Sequence, residues 1–187
     1  GLLSAPAGVQ ADEALRSQAL QLFGRLQAPT VASKDVPLVE LGRAIFWDTR
    51  LSLDGKTACA SCHMARDFSA DRRSFSIDAR GKPTGRHSQP VFNAMSQASL
   101  RWTGDRKTGA DQARGSMTGS MGFPSIDDAL SRLRELDYAQ RFHAAYPDDP
   151  EPVRAANYGH ALQAYQATLV TPAAFDDFLA GRAEALD

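Results

Sequence analysis

The sequence predicts a mainly α-helical domain, on three observations. Apolar residues recur at helical spacing over several segments, and no segment alternates apolar and polar residues as a half-buried strand does. The stretch from 66 to 124 is different, being rich in Gly, Ser, Arg and Lys with poor apolar periodicity. A loop region of that length in a compact domain is either functional or disordered. With helices on both sides, its expected role is to wrap a bound group.

The elements follow in chain order. Residues 12–27, DEALRSQALQLFGRLQ, read as an amphipathic helix with Asp12 as its cap and Leu15, Ala19, Leu22, Phe23 and Leu26 on one face. VPLVELGRAIFWD is a second helix, with Pro37 at its start. Asp54-Gly55 marks a turn. After the irregular stretch, SIDDALSRLREL has Ser125 as N-cap and Asp128 three residues on, a variant of the capping box. DYAQRFHAAY is a helix capped by Asp137, and PDDPEP, 147–152, is a turn. VRAANYGHALQAYQATLV is a long helix with Tyr158, Leu162, Tyr165 and Leu169 on one stripe. AAFDDFLAG is a short helix stopped by Gly181. The organisation expected is one domain over residues 1–187, with 1–35 as an N-terminal helical extension.

Composition narrows the function classes. A chain of 187 residues that is 43% hydrophobic has material for a genuine core. Its 21 basic and 22 acidic residues nearly cancel, which argues against a nucleic-acid binder or a polybasic membrane surface. No apolar run reaches the roughly 18 residues that a membrane-spanning helix needs.

The chemistry concentrates in TACASCHMA, residues 57–65, which holds the only two cysteines, Cys59 and Cys62, with His63 directly after. A structural zinc site takes four ligands, commonly in two pairs; His87, His143 and His160 are isolated and supply no second pair. A thioredoxin-type dithiol expects a βαβ context, which is missing. Cys-x-x-Cys-His is the pattern of covalent c-type haem attachment. Two thioethers tether the porphyrin and the next residue is held under the iron, so His63 is the expected proximal ligand. One covalently attached haem c is therefore expected, in a cytochrome c-like domain whose long loops wrap it. Such attachment is made outside the bacterial cytoplasm, so the expected location is the periplasm. The motif is specific for haem and silent on what the haem does.

The flanking sequence adds a resemblance. LGRAIFWDTRLSLDGKTACASCH resembles the opening of the haem domains of bacterial di-haem cytochrome c peroxidases and of the related methylamine-utilisation enzymes. GRHSQPVFNAMSQASLRWTGDR is similar to that family's later Arg-Asn-x-Pro and Trp-Asp-Gly-Arg segment. The helices from GFPSIDDAL to DDFLAG resemble its later helices, so the likeness runs from about residue 36 to 182. It implies that Arg86, Trp102 and Arg106 surround the haem, with arginine pairing to a propionate. Phe46, Trp47, Phe68 and Phe92 are expected to wall it from water. His87 is expected to be a supporting loop residue, and His143 and His160 surface or packing residues.

The departures from the family pattern are as informative. The family continues into a second haem domain with its own Cys-x-x-Cys-His. The resemblance also implies a glutamate and usually a histidine on the open side of the haem. Ser120 stands where the glutamate would fall, no acidic residue lies between Asp111 and Asp127, and no histidine lies in RRSFSIDARGKPTG. Peroxide cleavage needs a group to move a proton between the oxygens. The family's electron-transfer domain takes an iron ligand from a Gln-Ala-x-x-x-Met segment, which QARGSM matches with Gln112, Ala113 and Met117. Met117 is accordingly the expected second iron ligand, ahead of Met121, Met95 and His87. The function expected on this basis is single-electron transfer by a mono-haem cytochrome, more an electron-transfer subunit than an enzyme in its own right. Its expected partner is a redox protein, such as a dehydrogenase subunit, with no nucleic acid involved. The alternative is the haem domain of a two-haem, hydrogen-peroxide-reducing cytochrome c peroxidase. A third reading is a haem-based sensor.

Overall fold

The structure is a computed structural model that describes residues 7–27 and 29–186. It is mainly α, with eight α-helices among the described residues: α1 Ala7–Phe23, α2 Val36–Trp47, α3 Cys59–Cys62, α4 Gly109–Thr118, α5 Ile126–Glu135, α6 Ala139–Ala145, α7 Ala155–Ala167 and α8 Ala174–Leu179. No strand forms among them; three isolated bridges, such as Met64 with Ala70, close loops.

The chain divides into two units, where the sequence predicts a single domain with residues 1–35 as its helical extension. One unit pairs α1 with α8 and the turn Ala183–Leu186; Ala19, Phe178 and Leu179 form its small core. Helix α1 starts by Ala7, so Asp12 lies inside it rather than capping it. Ala19 is buried, but Leu15, Leu22 and Phe23 are exposed, so the expected apolar face is only partly used.

The second unit, Pro29–Leu169, holds the main core. Helix α7 is its centre and packs on both α2 and α4, while α6 packs on α2. Two glycines permit this. A Cβ on Gly42 of α2 would lie 1.9 Å from the Ala161 carbonyl oxygen, and one on Gly159 of α7 would lie 2.4 Å from the Ala110 oxygen. At both crossings the backbones meet with no room for a side chain. Tyr158, Ala161, Leu162 and Tyr165 of α7 pack with Leu41, Ile45 and Phe46 of α2.

The local signals explain most boundaries. Pro37 sits in the first turn of α2. The Ser125 hydroxyl accepts from the Asp128 amide and starts α5. Gly181, at φ 102°, ends the chain's last α-helix. Asp137 is not a cap: its φ of 59° makes it the left-handed residue between α5 and α6. Asp48 ends α2 and organises the following turn, accepting from the Arg50 amide at 3.0 Å and from the Tyr138 hydroxyl at 2.9 Å. The Arg50 guanidinium bonded to Asp48 holds that carboxyl below its usual range, against the opposing effect of burial.

The stretch 66–124 is not irregular throughout. Thr108 accepts from the Asp111 amide and caps α4, a ten-residue helix that periodicity did not reveal.

Candidate haem site

A cavity of about 450 Å³ opens in the second unit, within the range typical of ligand and cofactor sites. Several segments line it. Cys62 and His63 come from the end of α3; Arg86, His87, Ser88 and Gln89 come from the following loop; Leu100, Trp102 and Arg106 lie beyond. Helix α4 supplies Gln112, Gly115 and Ser116, continued by Gly119 and Ser120.

The single turn of α3 sets the attachment motif. Ser61 accepts from the Ala58 amide and closes the turn at its start. Cys59 and Cys62 lie three apart, on one side of that turn, and neither is in a disulfide. Burial pushes the Cys59 thiol up to about 12 and raises that of Cys62 as well. Cys62 lines the cavity, whereas Cys59 packs against the main core just behind it.

His63 is held by its Nδ1. That nitrogen lies 3.3 Å from the Ser69 carbonyl oxygen and 3.2 Å from the Ser88 hydroxyl, which itself donates to the Cys62 carbonyl. Burial lowers the pKa of His63 and keeps the imidazole neutral. With Nδ1–H donated to Ser69, Nε2 keeps its lone pair for a metal, the arrangement found around histidine ligands. Phe46 lies against the imidazole, with ring centroids 6.4 Å apart.

These features fit a c-type haem. The cavity is of the size of cofactor sites and is lined by a neutral imidazole with a free nitrogen. Arg106 adds a buried Nε with no hydrogen-bond partner, beside a guanidinium that reaches Asp111 at 3.2 Å. Arg86 also lines the cavity. These two cations are suited to carboxylates such as haem propionates. Trp102 lines the cavity, is largely exposed, and donates its indole N–H to the His87 carbonyl at 3.0 Å.

Met117 is placed differently from expectation. It is 1% exposed and packs among Leu51, Met121, Phe123, Ala129, Leu133 and Tyr158, and it does not line the cavity. The cause is the unforeseen helix. In α4, Gln112, Gly115, Ser116 and Gly119 share one face by the i, i+3, i+4, i+7 rule, and that face is the cavity wall. Ala113 and Met117, four apart, share the face turned into the core. Met121 is also a core residue, so Met95 is the methionine that lines the cavity. Met117→Ala should therefore behave as a core truncation, lowering stability by about 2–4 kcal/mol. Thermal melts and optical spectra of the haem-loaded variant check this; an unchanged spectrum is expected.

The remaining expectations divide. Of the four aromatics expected as a wall, only Phe46 is buried beside His63; Trp47 and Phe68 are exposed, and Phe92 is half-buried and does not line the cavity. His143 is exposed, and His160 Nδ1 lies 3.1 Å from the Tyr146 hydroxyl, which donates to the Asn157 carbonyl. Sequence reasoning missed Ser69 and Ser88, the partners of His63, since isolated serines in a loop carry no signal. The polar face of α4 was also missed, although Thr108 followed by Asp111 was a readable cap.

Comparison with known proteins places the chain. The family model described as di-haem cytochrome c peroxidase matches residues 37–184. The cytochrome c551 peroxidase of Pseudomonas aeruginosa is 33% identical, over all of this chain and 56% of its own length. The methylamine utilization protein MauG of Methylophilus methylotrophus is 32% identical, over 78% of this chain and 44% of its own. The crystal structure of a MauG-like protein associated with microbial copper homeostasis superposes with a TM-score of 0.69 and 25% identity, covering 84% of this chain and 47% of that one. The chain thus spans about half the length of these relatives. With a Cys-x-x-Cys-His turn, a braced histidine and a match over most of its length, the chain belongs to the di-haem cytochrome c peroxidase family.

Proposed function

We propose that this chain is a haem domain of a two-haem, hydrogen-peroxide-reducing enzyme, carrying one haem c on Cys59 and Cys62 with His63 as its axial ligand. The observation that carries this reading is the placement of Met117. With that thioether in the core, α4 offers the cavity only amide, hydroxyl and glycine groups, so a haem held by His63 would take no ligand from α4; the Met95 thioether and the His87 imidazole are the other donors at the cavity, and this reading leaves both off the iron. When bound, a haem would supply the redox-active iron that peroxide reduction needs. Ser116, Ser120 and Gln112 are placed to hydrogen-bond a small oxygen ligand in the cavity. No carboxylate lines the cavity among the described residues, so proton transfer falls to another group. His87 is the candidate: it lines the cavity and its Nδ1 is 2.7 Å from the Arg73 carbonyl, which leaves Nε2 free to exchange a proton. Electrons come from a second haem or a redox protein, and the periplasm is the compartment consistent with c-type attachment.

The test is peroxide turnover by the haem-loaded chain with a reduced c-type cytochrome as donor. His87→Gln should slow turnover about a hundredfold, with cyanide affinity unchanged. Equal turnover by wild type and variant removes His87 from the reading. Electron transfer by a mono-haem cytochrome is the second reading, favoured by the missing carboxylate. No measurable peroxide turnover, with fast outer-sphere electron exchange, selects it.

A further inference from the structure

The loop that braces His63 also projects an aromatic side chain into solvent. Residues 64–70 close on themselves: the Met64 amide donates to the Ala70 carbonyl at 3.1 Å, and the Asp67 and Ser69 amides donate to the Met64 carbonyl, each at 2.9 Å. At its tip Phe68 and Ser69 both adopt left-handed backbone, at φ 56° and 62°. That conformation is unfavourable for a phenylalanine; backbone hydrogen bonds hold the loop, but the ring itself gains little burial among the described residues, being 84% exposed. Strain that holds an apolar ring in water points to use of the ring by another molecule.

The surroundings say what kind of molecule. Arg66 and Arg72, both highly exposed, share one largely buried carboxylate, that of Asp67, leaving positive charge over. Arg73, also exposed, and Arg86, at the cavity, form no ion pair among the described residues. Residues 64–107 carry nine basic and four acidic residues, whereas the rest of the chain carries 12 and 18. The near-neutral total hides a cationic segment around the haem cavity. The same loop touches the metal ligand, since the Ser69 carbonyl next to Phe68 receives His63 Nδ1.

We propose that Phe68, flanked by Arg66 and Arg72, is the docking point of an acidic redox protein, which seats an apolar centre on the ring and acidic residues on the arginines. The site lies one residue from the histidine brace, where a docked partner is close to the haem. The proposal rests on the haem reading above, but its test does not depend on peroxide chemistry.

The experiment titrates the haem-loaded chain with a strongly acidic blue-copper protein, and with a strongly basic c-type cytochrome as control, by calorimetry at low and at physiological salt. Binding of the acidic protein alone, weakened at higher salt, is expected. Arg66→Glu with Arg72→Glu should weaken it about tenfold or more. Phe68→Gly should also weaken it several-fold while leaving the melting temperature equal or higher, because glycine accepts the left-handed backbone. Equal affinity of all three proteins for the acidic probe, binding of the basic control instead, or self-association through Phe68 seen by sedimentation would each overturn the proposal. Cyanide binding by the same variants should stay at wild-type level, so loss of docking is separable from loss of the haem reading.

Discussion

Changing both Cys59 and Cys62 to Ala should abolish covalent haem: denatured protein should have the 20.2 kDa mass of the bare polypeptide. The two cysteines are three residues apart on the single turn of α3, Cys62 at the cavity and Cys59 against the core behind it, and only these two thiols exist in the chain. The effect on folding should be nearly as large. An unfilled cavity of about 450 Å³ would separate α4 from the His63 loop, leaving the Arg106 Nε without a partner. A group that binds only the folded chain stabilises it by mass action. The thermal midpoint of the double variant is expected to fall by about 10 °C or more, at roughly 2–4 °C per kcal/mol for a chain of this size. Mass spectrometry of the denatured variant checks the first effect, and a thermal melt the second. Haem retained through denaturation would contradict the attachment site.

Gly42→Ala should be the most damaging single change away from the haem site. Its Cβ would lie 2.6 Å from the carbonyl carbon of Ala161 and 2.8 Å from the Cβ of Tyr165. Neither atom can swing aside, so α2 and α7 must separate. Alanine gains about 1 kcal/mol of helix propensity over glycine, far less than the clash. A net loss of about 4 kcal/mol or more is expected. The damage should reach the site, because Phe46 on α2 touches both His63 and Tyr165. Chemical denaturation measures the loss; a change under about 1 kcal/mol would mean the crossing is looser than described.

Much of this was readable beforehand, and the failures have identifiable causes. Cys59, Cys62 and His63 point to a c-type haem because attachment chemistry fixes their spacing, and the family match supports that cofactor. Pro37 and Ser125 marked helix starts because their effects are local. Helix α4 was missed because GADQARGSMT carries two glycines and few apolar residues, so its local preference is poor. It is held instead by packing on α7, where Gly159 admits the Ala110 backbone. That one miss moved Met117: on a loop its sulfur is free to reach iron, but on a helix its position follows from Ala113 four residues earlier. Phe68 was expected inside for being aromatic, and the left-handed backbone at 68 and 69 places it outside. The near-zero charge of the whole chain conceals the basic segment 64–107.

The central claim is that His63 holds a haem iron whose other side is open. The ferric optical spectrum of the haem-loaded chain, recorded with and without cyanide, tests it most directly. A high-spin spectrum that cyanide converts to low-spin, identical in wild type and Met117→Ala, is the result expected. A low-spin spectrum insensitive to cyanide in wild type, becoming high-spin in Met117→Ala, would contradict it and return Met117 to the iron.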